Sequence, residues 1–128
     1  MPHFSIEYSA NLDAHVDMSG LCEHLRKAGI ETGVFPMAGI RVRAIRCEHY
    51  AIADGEPDHG FIDISVRLRG GRPLEARKAA TEAIFEAARA YLEDVIRTRP
   101  IALSLEMRDI DPELSPKLNT IRDHVKDS

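Results

Sequence analysis

The sequence lacks the features that mark several large classes of protein. No apolar run approaches the roughly 20 residues that a membrane helix requires, and the N-terminus lacks the basic-then-apolar layout of a secretion signal. Basic residues are not in excess either, since 17 Lys and Arg stand against 21 Asp and Glu. Because general nucleic-acid binding requires surplus positive charge to neutralise phosphates, this balance argues against that function. These absences predict a cytoplasmic protein with neither membrane nor nucleic-acid partners.

Cysteine is scarce and histidine is dispersed. Cys22 and Cys47 match no metal-binding spacing, and a single disulfide would be unusual in a cytoplasmic protein. We therefore expect both to be small buried hydrophobic residues. The six histidines include no pair at metal-ligand spacing beside a third ligand, so we predict no metal site.

Lysine is scarce as well, because arginine supplies 13 of the 17 basic residues. The planar guanidinium of arginine grips carboxylates through two parallel hydrogen bonds. The bias fits an acidic protein that uses some of its arginines to hold an anionic small molecule. A GC-rich genome that favours arginine codons would produce the same bias, so composition alone does not separate the two explanations.

Hydrophobic periodicity predicts four strands and two helices. The 128 residues are 44% hydrophobic and 30% charged, which is an ordinary composition for one globular domain. Apolar residues alternate with polar ones in the predicted strands and recur at helical spacing in the predicted helices. Strands are expected at about 3–8, 39–50, 61–69 and 101–107, and helices at about 18–28 and 73–99.

Two details of the helices are also predicted. Gly29 is expected to stop the first helix, and Pro73 suits the first turn of the second. The apolar stripe that the second helix should bury consists of Ala80, Ile84, Ala87, Tyr91 and Val95.

The element order predicts a single α/β domain of the α+β type in which one β-α-β unit is written twice. The pseudo-repeats span about 2–58 and 59–112, and a polar tail covers 113–128, with one turn of helix between 115 and 124. Both crossovers should place their helices on one face of a four-stranded sheet. The other face carries Arg41 and Arg43 and stays uncovered in one chain, so we expect an oligomer to bury it.

Pro2 is the first candidate catalytic residue. Initiator methionine is normally removed when proline follows, which leaves a secondary amine at the start of a strand. An α-amino group has a pKa of about 7.7–8.0, and an apolar pocket or neighbouring arginines lower it. Such an amine would be neutral at physiological pH, where a general base works best. Since most Met-Pro starts have no such role, Pro2 needs support from its context.

The context of Pro2 is a series of short motifs that spans nearly the whole chain. They are Met1-Pro2-His3-Phe4, Thr32-Gly33-Val34-Phe35-Pro36, Gly39-Ile40-Arg41 with Arg43, Ala53-Asp54-Gly55, Gly71-Arg72 and Ala102-Leu103-Ser104-Leu105-Glu106. In this order they resemble the tautomerase superfamily, the 4-oxalocrotonate tautomerase-like proteins, and most closely its 5-carboxymethyl-2-hydroxymuconate isomerase family. The segment 119–122 follows the Asn-Asn-aliphatic-His ending of that family only in part.

The resemblance implies a cofactor-independent isomerase that acts as a homotrimer. The family's catalytic base, an amino-terminal proline, corresponds to Pro2. The strand arginine that binds a substrate carboxylate and polarises the oxo end corresponds to Arg41, and the arginine of the strand-to-helix turn to Arg72. Arg43 is a further candidate, either for substrate contact or for an ion pair between subunits.

The reaction implied by the resemblance is an enol–keto isomerisation. It converts 5-carboxymethyl-2-hydroxymuconate to its 2-oxo-hex-3-ene-dioate isomer in the catabolism of 4-hydroxyphenylacetate and homoprotocatechuate. Two alternatives stay open. One is a tautomerase of another enol or α-keto acid such as phenylpyruvate, and the other is a non-catalytic trimeric module that binds anions.

The duplication adds a prediction about the number of sites. Only the first half begins at a chain terminus, and only the second half has a Gly-Arg turn. We therefore expect one site per chain, built from features of both halves.

Overall fold

The computed structural model describes residues 1–126. Along the chain the elements are β1 (His3–Ser9), a 3-10 turn (Ala10–Ala14), α1 (Met18–Glu31), β2 (Arg41–Cys47), β3 (Gly60–Arg69), α2 (Leu74–Tyr91), α3 (Glu93–Thr98), β4 (Ile101–Ile110) and a second 3-10 turn (Ile121–His124). The last two residues of the predicted tail lie outside the described residues.

The strands form one mixed sheet in the order β2-β1-β3-β4. Within each half the two strands are parallel, β1 with β2 and β3 with β4, and the halves meet through antiparallel pairing of β1 with β3. A parallel pair requires a crossover, and in both halves a helix lies between the two strands. The predicted fold of two β-α-β units in a four-stranded sheet is confirmed.

The core lies between the helices and one face of the sheet. Alternating residues of the central strands are fully buried there, among them Phe4, Ile6 and Ile64. Leu21 of α1 and Ile84 of α2 pack into the same hydrophobic cluster. The opposite face is free of helices within residues 1–126 and is mostly polar; it carries His3, Ser5, Glu7, Arg41, Arg43, Ile45, Asp63, Ser65, Arg67, Ser104, Glu106 and Arg108.

Gly29 does not stop α1, so that prediction is wrong. The helix continues to Glu31, and Gly29 is buried inside it. A Cβ at Gly29 would lie 2.7 Å from Cδ1 of Ile40 and 3.0 Å from the ring of Phe4, so a hydrogen is required for the helix to approach the sheet. The helix ends instead at Thr32, whose hydroxyl donates to the Gly29 carbonyl at 2.6 Å.

The predicted helix at 73–99 is two helices, α2 and α3, that meet at Leu92. The buried stripe is also rotated: Ala88 and Leu92 are buried where Ala87 and Tyr91 were expected. Tyr91 lies at the rim, and its hydroxyl donates to the Asp17 carbonyl at 3.0 Å, which ties α2 to the start of α1.

The ends of two strands also differ from prediction. The second strand is shorter than 39–50, because Gly39 donates its N–H back to the Pro36 carbonyl at 3.0 Å in a turn. The fourth strand is longer than 101–107, because it stays paired with β3 as far as Ile110.

Cys22 and Cys47 are free and only half-buried, so the expectation that both are buried is wrong. No helix within residues 1–126 is long and apolar enough to cross a membrane.

Candidate active site

The N-terminus is fixed at the start of a central strand of the sheet. Pro2 is buried directly before β1, and its carbonyl accepts a hydrogen bond from the Arg41 backbone N–H at 3.2 Å. Because β1 is a central strand, the first residues are held by pairing on both sides. In the unprocessed chain the Pro2 nitrogen belongs to an amide.

Met1 lies between two cavities. The larger, of about 490 Å³, is lined by His3, Arg41 and Arg67 among others, and the smaller, of about 140 Å³, by Pro2, Phe35 and Arg72. Met1, Arg69 and Lys117 line both. The Met1 sulfur accepts from Arg41 Nη2 and from Asn119 Nδ2, each at 3.7 Å. Loss of Met1 would therefore open the space between the cavities and free two hydrogen-bond donors.

The arginines fall into two groups. One group pairs with carboxylates within 4.0 Å: Arg26, Arg46, Arg77, Arg89, Arg97, Arg99 and Arg108. The other group has no carboxylate partner among residues 1–126: Arg41, Arg43, Arg67, Arg69, Arg72 and Arg122. Apart from Arg43, each member of the second group lines one or both cavities. The positive charge around the N-terminus is thus left available for an anion.

His3 joins two of these arginines. Its Nε2 lies 3.2 Å from Arg41 Nη1 and its Nδ1 lies 3.2 Å from Arg43 Nη1. A guanidinium only donates and a neutral imidazole has one acceptor, so one of these contacts is a hydrogen bond and the other is not. Burial, followed by the charges of Arg41, Arg67 and Arg43, lowers the pKa of His3 to about 4. His3 is therefore neutral at physiological pH.

The Met1 amino group experiences the same positive field. Its pKa is lowered, first by burial and then by the charges of Lys117, Arg41, Arg69 and Arg72. Since these cations come from β2, β3, the turn after β3 and the C-terminal tail, the fold brings them together from distant parts of the sequence.

The turn after β3 directs Arg72 to the smaller cavity. Gly71 has a φ of +107°, a conformation that favours glycine, and it takes the chain out of the sheet. The Arg72 carbonyl then accepts from Arg77 Nε at 3.2 Å, which fixes the turn against α2. Arg72 therefore lines the smaller cavity and Arg41 the larger one, and Met1 borders both.

The tail returns to the N-terminus, which the sequence reasoning missed. Asn119 Nδ2 donates to the Ala38 carbonyl at 2.8 Å, and Asn119 Oδ1 accepts from the Ile121 N–H at 2.9 Å. This anchor places Lys117 at both cavities and Arg122 at the smaller one. The sequence gives no periodic signal for such a return.

Three further residues at the cavities were also missed: His3, Arg67 and Arg69. In the strand register His3 is paired with Arg41 of β2 on one side and with Arg67 of β3 on the other. His3, Arg41 and Arg67 therefore stand on the helix-free face at one level of the sheet. The alternation of β3 already separated Arg67 and Arg69 from its apolar face, so this signal was present in the sequence. What it lacked was the register that aligns the strands.

The opposite end of the sheet has a different composition. There Phe61 faces Ala102 and Asp63 faces Ser104, at positions that correspond in the duplicated unit to His3 facing Arg41 and Ser5 facing Arg43. The cavity nearby is lined by Glu48, His49, Glu56 and His59 among others, and by no arginine of residues 1–126. This difference favours the prediction of one site per chain.

The chain is similar to known isomerases over nearly its whole length. A profile of the family described as 5-carboxymethyl-2-hydroxymuconate isomerase matches residues 2–125. The Escherichia coli 5-carboxymethyl-2-hydroxymuconate Delta-isomerase is 34% identical over 121 residues, which cover 94% of this chain and 96% of that protein.

Solved structures show the same similarity. A 5-carboxymethyl-2-hydroxymuconate delta-isomerase superimposes with a TM-score of 0.90 at 33% identity, covering 97% of this chain and 92% of the other. A 5-carboxymethyl-2-hydroxymuconate isomerase from Deinococcus radiodurans R1 superimposes with a TM-score of 0.89 at 29% identity, covering 96% and 92%. The chain therefore belongs to the 5-carboxymethyl-2-hydroxymuconate isomerase family, an enzyme family with the tautomerase fold.

Proposed function

We propose that the protein converts 5-carboxymethyl-2-hydroxymuconate to its 2-oxo-hex-3-ene-dioate isomer in 4-hydroxyphenylacetate and homoprotocatechuate catabolism. The observation that carries the proposal is the set of arginines without carboxylate partners around the N-terminus. A substrate with several carboxylates needs several cations, and guanidinium groups bind them in bidentate fashion. The family relationship supports a carboxylated dienol as the anion that these arginines bind.

Pro2 is the proposed general base. Removal of Met1 would leave a secondary amine beside the groups that lower the pKa of the Met1 amino group, namely Lys117, Arg41, Arg69 and Arg72. The same field would keep the proline amine neutral, so that it takes the proton of the 2-hydroxyl and delivers one to the distant carbon. The cations thus serve both substrate binding and base activation.

Arg41 and Arg72 are the proposed substrate-binding residues. An arginine beside the oxo end stabilises the negative charge that develops on oxygen in the transition state. Arg41 suits this role because it lies next to His3 and Met1 at the larger cavity, while Arg72 holds a carboxylate at the smaller one. Arg43 is the third proposed ligand, since its nearest described polar contact is neutral His3.

A homotrimer is the proposed assembly. The helix-free face is mostly polar but also exposes Ile45 to 44%, and the tail exposes Leu114 to 80% and Leu118 to 90%. Apolar residues on an otherwise unpartnered face favour burial between copies of the chain. Cytoplasmic location and a cofactor-independent reaction complete the proposal.

The test combines intact mass with turnover. We expect the intact mass of the purified protein to show that one methionine has been removed. We also expect the protein to ketonise 5-carboxymethyl-2-hydroxymuconate, which ultraviolet absorbance measures at a series of pH values. Pro2→Ala replaces the cyclic amine with a primary amine of different basicity and geometry, and should lower kcat by roughly 100-fold or more.

Pro57→Ala, in a turn at the other end of the sheet, is the matched control and should keep wild-type turnover. Full activity in Pro2→Ala, or in protein that retains Met1, would remove Pro2 as the base. Clipped protein that turns over only phenylpyruvate would favour the alternative substrate. Anion binding without turnover of either substrate would indicate a non-catalytic module.

A further inference from the structure

Two of the cations that lower the pKa of the N-terminal amine border both cavities, and the mechanism above assigns neither of them a substrate carboxylate. Arg69 is the last residue of β3 and Lys117 belongs to the C-terminal tail, yet each lines the larger and the smaller cavity. They therefore stand between Arg41 on one side of Met1 and Arg72 on the other.

Arg69 is free to bind an anion from this position. It is the last residue of β3 and is exposed, with no carboxylate within 4.0 Å among residues 1–126. Asp109, the acidic residue beside the following turn, is paired with Arg77 at 3.8 Å. The charge of Arg69 is consequently not neutralised by this neighbour.

Lys117 is held at the site by the tail. The Asn119 side chain bonds to the Ala38 carbonyl and to the Ile121 N–H, so the segment that carries Lys117 is anchored two residues away. Among the charges that lower the pKa of the Met1 amino group, that of Lys117 has the largest effect. Met1 and Lys117 also line the same two cavities, so Lys117 borders the space beside the N-terminus.

Arg41 thus lines only the larger cavity, Arg72 lines only the smaller one, and Arg69 and Lys117 line both. We propose that Arg69 and Lys117 form a carboxylate-binding subsite that makes the enzyme prefer a tricarboxylate over a dicarboxylate, with Asn119 as the residue that positions Lys117. The subsite deepens the proposed function and rests on it. A dicarboxylate held by Arg72 at one end and by Arg41, with Arg43 across His3, at the other leaves Arg69 and Lys117 unused, whereas a third carboxylate engages them.

The test measures a ratio of specificities. The kcat/KM for 5-carboxymethyl-2-hydroxymuconate is divided by that for 2-hydroxymuconate, the same dienol without the carboxymethyl group. We expect this ratio to fall about tenfold or more in Arg69→Met and in Lys117→Met, since each removes a charge-assisted contact to the additional carboxylate. Arg97→Met and Lys78→Met remove the same charges from the exposed helix surface and should leave the ratio unchanged.

Asn119→Ala separates positioning from direct contact. It should lower the ratio as Lys117→Met does, and the double variant should lower it no further, because both changes remove the same cation from the site. An Asn119→Ala ratio equal to that of wild type would show that the tail anchor does not position Lys117.

Equilibrium binding distinguishes failure of the subsite from failure of the proposed reaction. Calorimetric dissociation constants for propane-1,2,3-tricarboxylate and glutarate give the same comparison without turnover. If wild type turns over neither dienol, the reaction assignment fails, and a tricarboxylate preference in binding that Arg69→Met and Lys117→Met abolish still supports the subsite. If wild type shows no preference in turnover or binding, or if these variants keep it, the subsite is overturned.

Discussion

His3 sits at the centre of the positive cluster, and its ionisation couples that cluster to pH. The charged groups that face it are Arg41, Arg67, Arg43 and the N-terminal amine, all of the same sign. A neutral imidazole can accept a hydrogen bond from a guanidinium, whereas a protonated one adds a further positive charge. The residue therefore fits the site only in its neutral form.

The lowered pKa of His3 predicts a pH dependence of stability. The unfolded chain takes up a proton at His3 near pH 6.5, but the folded chain does so only near pH 4. The free energy of unfolding should therefore fall as the pH falls from 6.5 towards 4. His3→Gln removes this contribution to the pH dependence. The free energy of unfolding of wild type minus that of the variant, measured by urea unfolding from pH 6.5 to 5.0, should therefore become less positive or more negative as the pH falls. Parallel profiles would contradict the assigned pKa.

At the scale of elements, the sequence predicted what depends on local periodicity. The alternation of apolar and polar residues over 3–8 identified β1, and Pro73 marked the start of the helix that follows β3. What it missed depends on packing between elements. The burial of Gly29 is set by Phe4 across the core, and the return of the tail is set by a single side chain, Asn119. Arg41 and Arg72 were likewise identified from motifs, whereas Lys117 has no motif.

Gly29 is predicted to be required for close packing of α1 on the sheet. Gly29→Ala gains helix propensity of up to about 1 kcal/mol, but its Cβ would overlap Ile40 Cδ1 and press on the buried ring of Phe4. Overpacking of this kind typically costs about 1–3 kcal/mol, so we expect a net loss of stability of about 1 kcal/mol by urea unfolding.

A second variant tests the cause of that loss. Ile40→Val removes the overlapping methyl group, so Gly29→Ala should cost less in the Ile40→Val background than in wild type. An equal cost in both backgrounds would place the strain on Phe4 alone. Stabilisation by Gly29→Ala in wild type would show that α1 can move away from the sheet without loss.

At the scale of the whole molecule, the duplicated fold has diverged to give unlike ends. The end that holds the chain terminus has collected arginines, while the other end carries acidic residues and histidines around its cavity. Because the proposed amino-terminal base would occur only once per chain, arginines around the second cavity would have no such chemistry to support. Repetition of the catalytic site then has to come from several copies of the chain.

Assembly into a trimer is the prediction that belongs to this scale. Sedimentation equilibrium should give a mass close to three times 14.3 kDa. Ile45→Asp places a charge on the exposed apolar residue of the helix-free face and should shift the protein towards monomer, because burying an unpaired carboxylate between subunits is costly. Ile96→Asp, at a residue of similar exposure on α3, should remain trimeric. A monomeric wild type would contradict the proposed assembly, and a trimeric Ile45→Asp protein would mean that the helix-free face is not the contact between subunits.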